Sequence, residues 1–160
     1  ASLRATILES LLTLYRDFNI SFVYITHDLT TAYQVANELI VLYRGTLVEA
    51  GPVTDVVRNP QHPYTQLLIQ SIPSPDPDKP WGEGAVSTAD PAEALTTSGC
   101  PFASRCPFVM DVCRTAVPPH YRVGGAAVTC YLYRDRPVVS DDELIRIAGR
   151  QSVQVTVPNR

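Results

Sequence analysis

Lysine is almost missing from this chain: Lys79 is the single one among 160 residues, and 13 basic side chains stand against 16 acidic ones. A formal net charge of −3 gives no electrostatic reason for nucleic acid to bind. No glycine-rich loop of the G-x-x-x-x-G-K-[ST] type occurs, and no lysine is placed to neutralise a nucleotide phosphate. No apolar run approaches the ~20 residues that a membrane-spanning helix needs. The stretch Ala1 to Arg16 has no basic region ahead of an apolar core, so it does not read as a secretory signal. An initiator methionine is also absent and the sequence opens inside a helix pattern, which suggests a fragment.

What is present is globular in balance, with 45% hydrophobic and 18% charged residues. Leu3, Ile7, Leu11, Leu14 and Phe18 recur at helical spacing, with Leu8, Leu12 and Tyr15 widening the stripe. Ile20 to Thr26 is nearly continuous in β-branched and aromatic residues, the pattern of a strand buried on both faces of a parallel sheet. A helix is expected next, capped by Asp28 or Thr30 and running to about Asn37. Leu39–Tyr43 and Thr46–Ala50 flank Arg44-Gly45 and read as a hairpin. Val53–Arg58 reads as a short helix, and a second helix starts at His62-Pro63-Tyr64, with proline suited to its first turn. Helix, buried strand, helix and hairpin describe the trailing edge of an α/β domain.

Composition changes at Pro73, since seven of the fourteen prolines fall between Pro60 and Pro91. The organisation expected is therefore a first segment over 1–72, a proline-rich linker over 73–98, a cysteine segment over 99–134 and a tail over 135–160. In the tail, Asp141 to Gly149 reads as a short helix and Ser152 to Val157 as an isolated strand.

The only four cysteines are Cys100, Cys106, Cys113 and Cys130, spaced C-x5-C-x6-C-x16-C. Four thiolates suit zinc or an iron–sulfur cluster, and spacing alone leaves both open. Structural zinc sites usually bring close ligand pairs, which are missing here, and wider loops suit a larger object. Paired disulfides are the third possibility, weakened by the lack of a visible export signal. Pro101 and Pro107 stiffen the chain beside two of the cysteines, and Phe102, Phe108 and Tyr131 are candidates to shield a cluster. A segment this poor in aliphatic side chains needs a cross-link to stay ordered.

His27 falls where the apolar run meets the next helix, and open α/β sheets bind ligands outside the carboxyl ends of their strands. A histidine there can donate to a phosphate or orient a water; its ordinary alternative is to be satisfied by backbone groups. His62 and His120 adjoin prolines and read as structural.

Ser21 to Leu29, with Thr26-His27-Asp28 inside it, resembles the switch-histidine segment of ABC transporter ATPases. Tyr43 to Pro52 is similar to the strand pair that follows in those proteins. His62-Pro63-Tyr64-Thr65-Gln66-Leu67-Leu68 resembles the motif that marks the C-terminal extension of the oligopeptide/dipeptide import ATPases, and Gly99-Cys100-Pro101-Phe102 with Arg105-Cys106-Pro107-Phe108 and Cys113 resembles its cysteine region. The resemblance covers Ala1 to about Tyr133. It implies the C-terminal portion of a P-loop (RecA-like) ATPase domain followed by an irregular cysteine-rich extension. It further implies a peripheral subunit on the cytoplasmic face of the plasma membrane, partnered by transmembrane permease subunits and a second ATPase subunit. His27 would be the switch histidine, and Cys100, Cys106, Cys113 and Cys130 would hold a four-iron four-sulfur cluster. ATP and magnesium would be bound in the intact protein only. The phosphate loop, Q-loop, signature motif and Walker B carboxylates would all lie upstream, so the 160-residue piece is expected neither to bind ATP tightly nor to hydrolyse it. The competing reading is a stand-alone zinc module, held by the four cysteines and without catalysis.

Overall fold

A two-residue turn with both residues at positive φ suits the right-handed twist of a hairpin, and Arg44 (φ 50°) and Gly45 (φ 77°) supply it. They join β1 (Glu38–Tyr43) to β2 (Thr46–Pro52), antiparallel, with a bulge between Val41 and Leu42. The computed structural model describes residues 3–72 and 98–149. Within these, the chain divides into two compact units, over 1–36 and 37–160. The linker expected over 73–98 lies, but for its last residue, outside the described residues, as does the strand expected at Ser152–Val157.

In the first unit, α1 (Leu3–Phe18) forms as its periodicity predicts, and Asn19 at φ 52° ends it in the left-handed conformation. The side that is covered differs from the expected one. Leu8 is buried and Leu11, Leu12 and Tyr15 are partly so, whereas Leu3, Ile7, Leu14 and Phe18 are exposed. The buried strand expected over Ile20–Thr26 does not form: these residues carry no ladder, and Val23 and Ile25 are 93% and 92% exposed. The physical reason is pairing. A strand of this type is held by neighbours on both edges and by helices on both faces, and the described residues supply none. Asp28 then caps α2 (Leu29–Val35), accepting from the amides of Thr30 and Thr31 at 3.0 and 3.2 Å. This helix ends two residues earlier than expected.

In the second unit the hairpin is extended into a four-stranded antiparallel sheet of order β1-β2-β4-β3, where β3 is Tyr121–Val123 and β4 is Ala126–Val128. Glu49 pairs with Val128 and Ala50 with Ala127. The hairpin assigned from sequence to the first segment thus shares one sheet with strands of the cysteine segment. Periodicity does not reveal β3 and β4 because each has three residues, although Gly124-Gly125 between them is a hairpin signal.

One face of the sheet is covered by α6 (Asp141–Ala148), whose Ile147 packs with Ala127, Val139 and Leu144. Ser140 caps this helix by accepting from the Glu143 amide, and the Glu143 carboxylate pairs with Arg122 of β3. On the other face lie Val41, Tyr43 and Val48, with Val56 of α3 (Val53–Arg58) and Phe102.

The start of α4 (Pro63–Gln70) is set by two buried polar side chains. His62 is the N-cap, its Nδ1 accepting from the Tyr64 amide at 3.0 Å, and Pro63 follows in the first turn. Glu49, fully buried on β2, accepts from the amides of Gln61 and His62, both at 2.9 Å. Desolvation pushes the Glu49 carboxyl up, outweighing the opposite pull of these two amides. Burial pushes the His62 imidazole down to about 4. Desolvation is the cause of that shift, and with a value this far below 7 the imidazole is neutral at pH 7.

Two outcomes are expected. Ile147→Ala lowers the unfolding free energy by about 2–5 kcal/mol in urea titrations. For His62, the folded pKa lies below the unfolded value of 6.5, so its contribution is present above pH 6.5 and drains away as pH falls toward 4. Glu49, with a raised pKa, acts in the opposite direction, so the comparison must be between proteins. His62→Asn, which keeps a capping acceptor, removes about 2 kcal/mol of the stability lost between pH 7 and pH 5, read as the difference between the two urea series.

Candidate functional site

The cysteines reach one place by two local routes. Three are carried by short turns: Cys100 precedes the 3-10 turn Ala103–Arg105, Cys106 follows it, and Cys113 lies in α5 (Asp111–Thr115). The Cys100 amide donates to the Cys113 carbonyl at 2.8 Å, which presses these two backbones together. Gly99 makes that approach possible, because a Cβ there would stand 2.2 Å from the Cys113 carbonyl oxygen. The fourth comes from the sheet. Side chains alternate along an extended strand, so Cys130, two residues beyond Val128, points to the same face as Val128 and its partner Glu49.

Cys100, Cys113 and Cys130 are buried and Cys106 is partly so; all four are free of disulfides. Every pair among the four is close enough for one sulfur to influence the other electrostatically. Among the described residues, though, no group of three or more His, Cys, Asp or Glu side chains converges tightly enough to hold a metal ion as placed.

The backbone around the sulfurs follows a pattern. Amides two residues on donate to three of them: Phe102 to Cys100, Phe108 to Cys106 and Leu132 to Cys130. Such donors favour the anionic form of sulfur. Desolvation nonetheless dominates and pushes the Cys100 and Cys106 thiols up, and that of Cys130 up to about 11. These three thiols are therefore neutral at pH 7. The donor set and its turns fit a group bound through thiolates.

The three aromatics expected to shield a cluster differ in burial. Phe102 is 1% exposed and meets Tyr43 and Tyr64 at ring-centroid distances of 5.2 and 5.5 Å, and Tyr131 packs beside it. Phe108 instead is 52% exposed. The Phe102 cluster also shows that the cysteines are not the segment's sole source of order, because it docks on the hairpin through Tyr43 and Val48.

Of the other histidines, His62 is the helix cap already described and His120 pairs through Nδ1 with the Thr129 hydroxyl at 2.7 Å. His27 lies in the first unit and the cysteines in the second; its side chain is exposed. The turn that carries it is ordered: the Asp28 amide donates to Thr26 Oγ1 at 3.0 Å, and Thr31 Oγ1 donates to Asp28 at 2.7 Å. No described residue beside His27 forms a phosphate cradle. Sequence reasoning passes over Glu49, Gln61 and Tyr133; a lone glutamate in an apolar strand is the signal available for the first.

Comparison with known proteins agrees with these motifs. Residues 48–113 match the family described as oligopeptide/dipeptide transporter, C-terminal region. A putative peptide import ATP-binding protein of Brucella ovis is 37% identical over 117 residues, covering 73% of this chain and 37% of the relative. A putative peptide import ATP-binding protein of Brucella abortus is 35% identical over 132 residues, covering 82% and 39%. A peptide ABC transporter ATP-binding protein of Sinorhizobium fredii is 36% identical over 132 residues, covering 82% and 37%. The chain therefore spans a little over a third of the length of these relatives. The chain belongs to the oligopeptide/dipeptide import family of ABC transporter ATP-binding proteins and corresponds to their C-terminal part.

Proposed function

We propose that this chain is the C-terminal segment of the ATP-hydrolysing subunit of a peptide importer, and that its four cysteines hold a four-iron four-sulfur cluster. The relatives' names support the first half. In the intact subunit, ATP and magnesium bind to the phosphate loop and carboxylates of the preceding part, and His27 contacts the γ-phosphate and the attacking water. The partners are transmembrane permease subunits and a second ATPase subunit, on the cytoplasmic face of the membrane. No helix among the described residues is long and apolar enough to cross it. The P-loop fold belongs to that intact domain, and the cysteine segment is its appendage.

The observation that carries the cofactor half is the gathering of all four thiols, three of them under backbone donors. Zinc binds sulfur at about 2.3 Å and needs its ligands drawn tightly around one point. A cube with an iron at each of four corners takes one thiolate per corner, which suits four cysteines separated by loops of five, six and sixteen residues. When bound, such a cluster supplies four iron–thiolate bonds that cross-link the turns of Cys100, Cys106 and Cys113 to the strand end at Cys130. Its role in this reading is structural.

Anaerobic reconstitution of the chain with iron and sulfide is expected to give a brown protein, with broad absorption near ~400 nm and about four irons per chain. A colourless protein with stoichiometric zinc, or with no metal, overturns the cluster. The chain alone is expected to show no ATP turnover, and measurable hydrolysis by it would contradict the assignment of the catalytic groups to the preceding part. In the intact subunit, His27→Ala is expected to lower ATP hydrolysis by about 100-fold or more; a near-normal rate would remove His27 from the mechanism.

A further inference from the structure

The short stretch that delivers Cys130 is held at both ends, at the first by the backbone of Glu49 and at the second, through Gln61, by its side chain. At its start, Val128 pairs in register with Glu49. At its end, the single proton of the Tyr133 hydroxyl is shared between two acceptors on Gln61, the backbone carbonyl at 3.1 Å and side-chain Oε1 at 3.0 Å. The Gln61 amide group is orientated by its other end, since Nε2 donates to the Asn59 carbonyl at 2.6 Å. Gln61 is fixed in turn by its backbone amide, which donates to Glu49 Oε1, while the His62 amide donates to Oε2. Between the anchors, the Tyr133 amide donates to the Cys130 carbonyl at 3.1 Å and the Leu132 amide to the Cys130 sulfur.

Burying a carboxylate is costly, and a hydrophobic residue would fill the same space on β2 without that cost. What a carboxylate offers is two acceptor oxygens side by side, matched to two consecutive amides. We propose that Glu49 is a positioning residue for the cysteine site: by holding the Gln61 amide it fixes the Gln61–Tyr133 contact, which sets where the Cys130 sulfur stands. The arrangement also ties the turn ahead of α4 to the site, so a change at Cys130 is felt at the amides of Gln61 and His62. The proposal rests on the cluster reading where it concerns retention of the cofactor, and on the geometry alone where it concerns the sulfur.

The test uses the 160-residue chain and two variants, Tyr133→Phe, which deletes one hydroxyl, and Glu49→Gln, which leaves one of the two amides without its acceptor. With the reconstituted protein, loss of absorbance to an excess of iron chelator is expected to be about three- to tenfold faster in Tyr133→Phe than in the wild type. Glu49→Gln is expected to lose its cluster at least as fast. With the metal-free chain, iodoacetamide labelling is followed by mass spectrometry as the ratio of Cys130 to Cys100 within the same molecules. That ratio is expected to rise several-fold in both variants. If the wild type takes up no cluster, the cluster reading fails, and the labelling ratio alone decides the positioning role. Unchanged cluster loss with an unchanged ratio overturns the proposal, and so does a uniform rise in labelling of both cysteines, which would mean general loosening. Should Glu49→Gln not fold, Tyr133→Phe decides.

Discussion

Two backbone pairings, Glu49 with Val128 and Ala50 with Ala127, are what the second unit depends on. They join a hairpin with strong local turn signals to a cysteine segment that has little core of its own. Once β4 lies beside β2, the pleat settles two surfaces at once. Ala127 goes to the face covered by Ile147 and Val139. Val128, and two residues later Cys130, go to the other face, where Tyr43, Val48 and Phe102 pack. A one-residue slip would exchange the two sets, so the register is specified by burial on both sides.

That register also decides the chemistry. Four thiols gathered in a partly buried space gain little from one another, and desolvation keeps protons on those of Cys100, Cys106 and Cys130. The amides of Phe102, Phe108 and Leu132 contribute the opposite preference. In the proposed cluster-bound form that balance would tip toward the thiolates, because thiolates and metal bind together and release protons in doing so.

Much of this arrangement is legible in the residues themselves, and the reasons differ by element. The Arg44-Gly45 turn, the Val53–Arg58 helix and Pro63 after His62 carry local signals that need no partner, and the fold has them where the residues indicate. Ile20–Thr26 misleads because its composition encodes burial against neighbours that the described residues do not supply. β3 and β4 are hidden by brevity, being strands made by tertiary pairing more than by propensity. The cysteines announce a site by their spacing, but Gln61 and Tyr133 announce nothing and Glu49 very little, since their roles exist only when distant stretches meet.

The Tyr133–Gln61 contact joins residues 72 positions apart. A nascent chain leaves the ribosome from its amino end, so the hairpin and the helix after it are complete well before their partner strand is synthesised. Until then the edge of β2 that carries Glu49 lacks its β4 partner. Long-range pairings of this kind are late and slow relative to hairpins. The four cysteines therefore come together only after translation has passed Cys130, and on the proposed reading the cluster forms on that completed sheet.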